Sequence, residues 1–137
     1  MNRRDLQQIS KIRRKEAKIL LDTNNYDGAY YLLGYVIECA LKSCIAKKTK
    51  RYEFPDKKKV EKSYTHDLED LVGLAELKME LDQEKMRNPT FEIYWNVVKD
   101  WDENSRYKTY IRREAKDMYK AVLARNNGVL RWIKQYW

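Results

Sequence analysis

The stretch from Gly28 to Ala46 decides most of what this chain can fold into. It is apolar nearly all round, through Ala29, Leu32, Leu33, Val36, Ile37, Ala40, Leu41, Cys44 and Ile45, yet it carries Glu38 and Lys42 near its middle. A membrane span does not readily accept such a pair at that depth. The central helix of a bundle does, because its neighbours bury every face and the two charges can meet one turn apart. The expectation is a buried helix from about Tyr26 to Lys47, with other helices packed around it and no membrane segment.

The rest of the chain supplies those neighbours. Leu6, Ile9, Arg13, Glu16 and Leu20 follow helical spacing, with Ile12, Ala17 and Ile19 widening the apolar stripe, while Arg3, Arg4, Lys11, Arg14, Lys15 and Lys18 take the other side, so the first helix is amphipathic with a basic face. Asp22-Thr23-Asn24-Asn25 is a break rich in capping residues. Thr65 is placed to cap a third helix ending near Glu80, with Asp67, Glu69 and Asp70 at its positive end. A turn around Asp82 to Arg87 and Pro89 leads to a fourth helix from Thr90, and a long terminal helix starts near Lys108 with Asn126-Asn127-Gly128 as a kink. Only four Gly and two Pro interrupt 137 residues, and no pattern of period two suggests a strand. The fold class is therefore all-α: a single domain over residues 1–137, a four- to five-helix antiparallel bundle.

The one long irregular segment, about 47–63, holds Lys47, Lys48, Lys50, Arg51, Lys57, Lys58, Lys59 and Lys62, with Phe54-Pro55 as a turn. It reads either as a solvated loop or as an arm that touches phosphates. The formal net charge of +8 favours polyanions without naming one. Cys39 and Cys44 point in different directions from one helix and read as reduced core residues of a cytoplasmic protein. No Cys/His cluster suggests zinc, no Gly-rich phosphate loop or nucleophile elbow is present, and no cofactor or metal is expected. The segment Met1 to Leu21 is charged throughout and has no signal-peptide core.

Three places carry candidate chemistry. Glu38 is one acid in an apolar helix, with Lys42 four residues on and Tyr31 and Tyr35 sharing its face. It is either a structural ion pair with tyrosine support or part of a polar stripe lining a cleft or a dimer seam. His66, the only histidine, is a general base or merely part of a helix start. Arg106 either pairs locally with Asp102 or Glu103 while Tyr107 packs inside, or it meets a phosphate or base with Tyr107 available for stacking. Trp95 and Trp132 belong to the core, whereas Tyr136 and Trp137 offer a partner surface.

Together these residues resemble a known family. Tyr26-Asp27-Gly28-Ala29-Tyr30-Tyr31-Leu32-Leu33-Gly34-Tyr35-Val36-Ile37-Glu38-Cys39-Ala40-Leu41-Lys42 looks like the second helix of HEPN domains, with its Gly-Tyr pair and Glu-x-Ala-Leu-Lys. Thr65-His66-Asp67-Leu68-Glu69-Asp70-Leu71 is similar to the family's His-Asp-Leu-x-x-Leu, and Trp101 followed by Arg106-Tyr107 to the tryptophan and Arg-Tyr before its last helix. The resemblance implies a helical bundle, often a homodimer, in prokaryotic toxin–antitoxin, phage-defence or RNA-processing systems. Some members are metal-independent ribonucleases, others are non-catalytic, and some partner with a nucleotidyltransferase-like protein. Catalytic members carry an Arg, then four to six intervening residues, then a His; here Lys59, Val60 and Glu61 occupy the Arg positions ahead of His66.

The reading that follows is a HEPN-type protein that binds RNA or a nucleotide. His66 and Arg106 are the candidate catalytic pair, with Glu38, Lys42, Tyr35, Lys59 and Tyr107 as binding residues. The competing reading is a non-catalytic module for protein interaction or dimerisation.

Overall fold

The computed structural model describes residues 1–49 and 57–137. The described residues form eight α-helices and one 3-10 turn, and no strand occurs among them. The helices are α1 (Arg3–Asp22), α2 (Tyr26–Lys48), α3 (Lys57–Lys62), α4 (Leu68–Leu74), α5 (Lys78–Arg87), α6 (Pro89–Lys99), α7 (Arg112–Leu123) and α8 (Val129–Lys134); the 3-10 turn spans Glu103–Tyr107.

Helix α2 is the axis of the bundle, touching α1, α4, α7, α8 and the 3-10 turn. By length and composition it would also pass as a membrane-crossing helix, but 67% of its most apolar window is buried in the fold. Leu33, Val36, Ile37, Ala40 and Leu41 lose all solvent contact there. Helix α1 lies antiparallel to it. Asn24 makes the reversal at φ 63°, and the Ser10 hydroxyl donates to the Val36 carbonyl at 2.8 Å midway along the pair. Asn2 and Asp5 start α1 reciprocally: the Asp5 amide donates to Asn2 Oδ1 at 2.9 Å and the Asn2 amide to Asp5 Oδ2 at 3.0 Å.

Several boundaries differ from the sequence expectation, each for a local reason. The third helix is two, α4 and α5, because the chain turns at Glu76 with φ 60°. Asp67 rather than Thr65 caps α4, its side chain accepting from the Asp70 amide at 3.0 Å. The expected turn at 82–87 lies inside α5, and Asn88 ends that helix and caps the next, with Pro89 at its first position. The terminal helix is broken rather than kinked: a Cβ at Gly128 would sit 2.5 Å from the Ala124 carbonyl oxygen, so α8 starts afresh after that close approach. Asn88 donates to Asn127 at 2.8 Å and ties this break to the start of α6. Within the expected loop 47–63, residues 57–62 are helical; Lys50, Arg51 and the Phe54-Pro55 turn lie outside the described residues.

Trp95 and Trp132 are in the core, as their spacing predicts. The two final aromatics are half-buried against the core. Tyr136 packs edge-on against Trp132 with ring centroids 5.6 Å apart, and the Trp137 carbonyl accepts from Arg3 Nη2 at 2.7 Å. Both cysteines are free and buried, and burial pushes each thiol up to about 11.

Candidate functional site

Tyr31, Tyr35, Glu38 and Lys42 recur every three or four residues, so α2 presents them as one polar stripe. Glu38 is only 4% exposed, and a carboxylate so deep must be paired. Its two oxygens have different partners. Oε2 is 3.5 Å from Lys42 Nζ, one turn along the same helix. Oε1 is 2.5 Å from His66 Nδ1, delivered by the segment that enters α4.

An ionised carboxylate can only accept, so this contact puts the proton of a neutral imidazole on Nδ1 and leaves Nε2 with its lone pair. The His66 side chain is 36% exposed, and the ring therefore reaches solvent while its other edge is fixed from below. That arrangement, a buried acid orienting a half-exposed histidine, is the second half of a catalytic triad's logic: it fixes the tautomer and stabilises the imidazolium once a proton is taken.

The tyrosines extend the cluster. Tyr35 packs edge-on to His66 at 6.2 Å and to Trp101 at 5.1 Å, and the Tyr31 and Tyr35 hydroxyls share a hydrogen bond at 3.2 Å. Burial first, then the Tyr31 hydrogen bond and the Glu38 charge, push the Tyr35 phenol well above the tyrosine range, while Arg106 pulls the other way. Tyr35 is thus a neutral hydroxyl at any physiological pH.

Arg106 stands at the far end of the same row. Its exposed guanidinium is raised above its ordinary value, first by Tyr107 and then by Tyr31, and lies 4.8 Å over the Tyr107 ring. Local pairing with Asp102 or Glu103 is not what holds it: Asp102 instead caps the 3-10 turn, accepting from the Asn104 amide at 2.7 Å. Tyr107 is 74% exposed rather than packed inside. The turn is anchored on both sides. Trp101 and Ser105 are buried, and Tyr110 stacks on Tyr30 at 3.7 Å while its amide donates to Asp27 at 2.5 Å.

Gly34 makes this docking possible. A Cβ there would lie 1.9 Å from Cε2 of Trp101, so only glycine lets the tryptophan reach the α2 backbone and bring Arg106 to the tyrosines.

The structure therefore unites Glu38, Lys42, Tyr35, His66, Arg106 and Tyr107 in one row along α2 and its two flanking turns. Lys59 is turned elsewhere. Its Nζ is 3.8 Å from Glu76, and it borders a cavity of about 350 Å³ that it shares with Lys42, Val60 and Tyr64. Tyr31, which links Tyr35 to Arg106, was legible only as a member of the stripe, and His66 read as a histidine with no partner because Glu38 lies 28 residues away. Among the described residues no group of three or more His, Cys, Asp or Glu side chains is placed to hold a metal ion.

An all-helical bundle carrying this row across one central helix defines the class. The chain belongs to the HEPN domain family, whose profile matches residues 4–136. No curated protein and no solved structure matches it.

Proposed function

We propose that the row from His66 to Arg106 binds single-stranded RNA and cleaves it without a metal. The contact between Glu38 and His66 carries this reading, because it gives an exposed imidazole a fixed, proton-accepting Nε2. His66 takes the proton of a 2'-hydroxyl, whose oxygen attacks the adjacent phosphorus. The bond from phosphorus to the 5'-oxygen breaks, that oxygen takes a proton from water, and a 2',3'-cyclic phosphate and a 5'-hydroxyl result. Arg106 stabilises the charge that builds on the phosphorane, and Tyr107 offers a stacking face to a base. Lys42 holds the second oxygen of Glu38 and so fixes the carboxylate that orients His66.

The chemistry demands the nucleophile. An oligonucleotide with one ribose in a deoxy strand is therefore cut at that ribose, and the all-deoxy strand is left intact. Arg106→Ala lowers the rate by about 10²-fold or more, the scale of losing one transition-state donor. Cutting of the all-deoxy strand at an equal rate contradicts the mechanism.

The setting belongs to the same proposal: a cytoplasmic protein of a defence or toxin–antitoxin system, acting as a homodimer, with a nucleotidyltransferase-like protein as its partner.

One observation favours the non-catalytic reading. Met79, Met86 and Ile93 on α5 and α6 are strongly exposed, and flexible thioethers suit a protein-binding surface. Binding of a protein partner there would survive high salt, whereas RNA binding through phosphates would not.

A further inference from the structure

Helices α1 and α7 flank α2 and face each other across a groove whose residues have no part in the row above. At one end, Lys18, Arg112 and Lys116 surround an opening of about 470 Å³ beside Tyr119, and Asp22 is the one acid there. That acid is already held, since Lys18 Nζ meets both its oxygens at 2.8 Å. At the other end, Arg14, Arg125, Arg131 and Lys134 rim an opening of about 300 Å³ floored by Val122 and Leu130, with no acid at all.

Like charges gathered without acids oppose one another and weaken the fold, so such a collection calls for an outside anion. The crowding is visible at Lys134. Burial first, then Arg14 and Lys11, depress its ammonium below the usual lysine range. None of Arg14, Arg125, Arg131 and Lys134 makes an ion pair among the described residues. The Arg131 guanidinium is set in place by donating to the Arg125 carbonyl at 2.7 Å, which leaves its other N–H groups for a ligand. On α1, Arg14 and Lys18 are one turn apart and fall on the same side of the buried line from Ser10 to Ala17. The two openings therefore continue one another along the helix.

We propose that this groove between α1 and the α7–α8 turn is a second RNA contact, in which the phosphates of one strand run from Lys18 and Lys116 to Arg14, Arg131 and Lys134. It rests on the reading of the ligand as RNA, but not on cleavage. The groove holds the strand by its backbone regardless of sequence, while the His66 row acts on one linkage.

The test compares two triple variants of equal charge by fluorescence anisotropy of a labelled single-stranded RNA over a series of salt concentrations. One is Arg14→Gln, Arg131→Gln, Lys134→Gln in the groove. The other is Lys78→Gln, Lys85→Gln, Arg87→Gln on α5, away from it. Circular dichroism confirms that both fold. Each phosphate contact on a single strand contributes about 0.7 to the slope of log affinity against log salt. The groove variant is expected to lose about 2 in that slope and at least about tenfold in affinity at low salt, and the α5 variant much less. Equal losses in the two variants overturn the groove in favour of diffuse charge. RNA binding that ignores the groove variant overturns this inference and leaves the His66 reading standing, whereas a wild type that binds no RNA defeats both. Sedimentation with phosphatidylserine vesicles that depends on the groove residues, with RNA binding unaffected, overturns it in favour of a membrane surface.

Discussion

The two polar regions of this molecule handle charge in opposite ways. Along α2, Glu38 is buried and each of its oxygens meets a partner, so the charges there are paired and fixed. Between α1 and α7, the cations at Arg14, Arg125, Arg131 and Lys134 are exposed and face one another without acids. A paired, buried cluster sets geometry and costs the fold dearly when broken. An unpaired, exposed one sets attraction at a distance and can be removed almost freely. The first is what positioning a proton needs, and the second is what gathering a long anion needs.

Substitutions can break that contrast from either side. The largest effect on the fold is expected at Gly34→Ala, where the new methyl meets the Trp101 ring in a core with no room to yield. Overpacking of this kind costs about 3 kcal/mol, read as a lowered midpoint of urea unfolding. The same change should unseat Arg106, so activity falls even in the fraction that stays folded.

Next is Glu38→Ala, which leaves Lys42 and His66 facing an empty, half-buried site. A loss of about 1–3 kcal/mol is expected, with Glu38→Gln at the lower end because one hydrogen bond to His66 can persist. By contrast Arg14→Gln should change unfolding free energy by no more than about 0.5 kcal/mol, or raise it slightly by relieving repulsion. If Arg14→Gln proves as damaging to the fold as Glu38→Ala, the distinction between the two regions collapses.

The smallest effect concerns the buried thiols. Cys39 and Cys44 titrate at about 11 in the folded chain, above the ordinary value of 9.0. The unfolded chain therefore releases these protons first, so stability is intact below pH 9 and declines as pH rises toward 11. At pH 8 both thiols should resist an alkylating reagent until denaturant is added, as mass spectrometry would show; rapid labelling of the native protein would contradict their burial.

The sequence was most informative where one physical requirement dominated. A helix apolar on every side had to be central, and an acid within it had to be paired, so α2 and the partnership of Glu38 with Lys42 could both be read directly. The stripe from Tyr31 to Lys42 follows from helical spacing alone. His66 did not yield in the same way, because its contact with Glu38 joins residues far apart in sequence and depends on how α4 docks. Arg106 was similarly ambiguous: its acidic neighbours suggested local pairing, but Asp102 is spent on capping the turn. The breaks at Glu76 and Gly128 were blurred because apolar periodicity continues across them, and only the backbone angle at one and the close approach at the other interrupt the helices. The basic groove was half visible. The cations of α1 were plain, but their counterparts on α7 and α8 are brought opposite them only by the fold.

Everything proposed for the α2 row turns on His66 as the base. The most direct measurement is single-turnover cleavage of RNA in the presence of a chelator, with wild type and His66→Ala purified alike and run side by side on a denaturing gel. Wild type is expected to leave a 2',3'-cyclic phosphate, with His66→Ala slower by about 10²-fold or more while RNA affinity stays close to wild type and circular dichroism shows the variant folded, though less stable, because buried Glu38 loses one partner. Equal cleavage by the two proteins, or none by either, would contradict a catalytic Glu38–His66 pair.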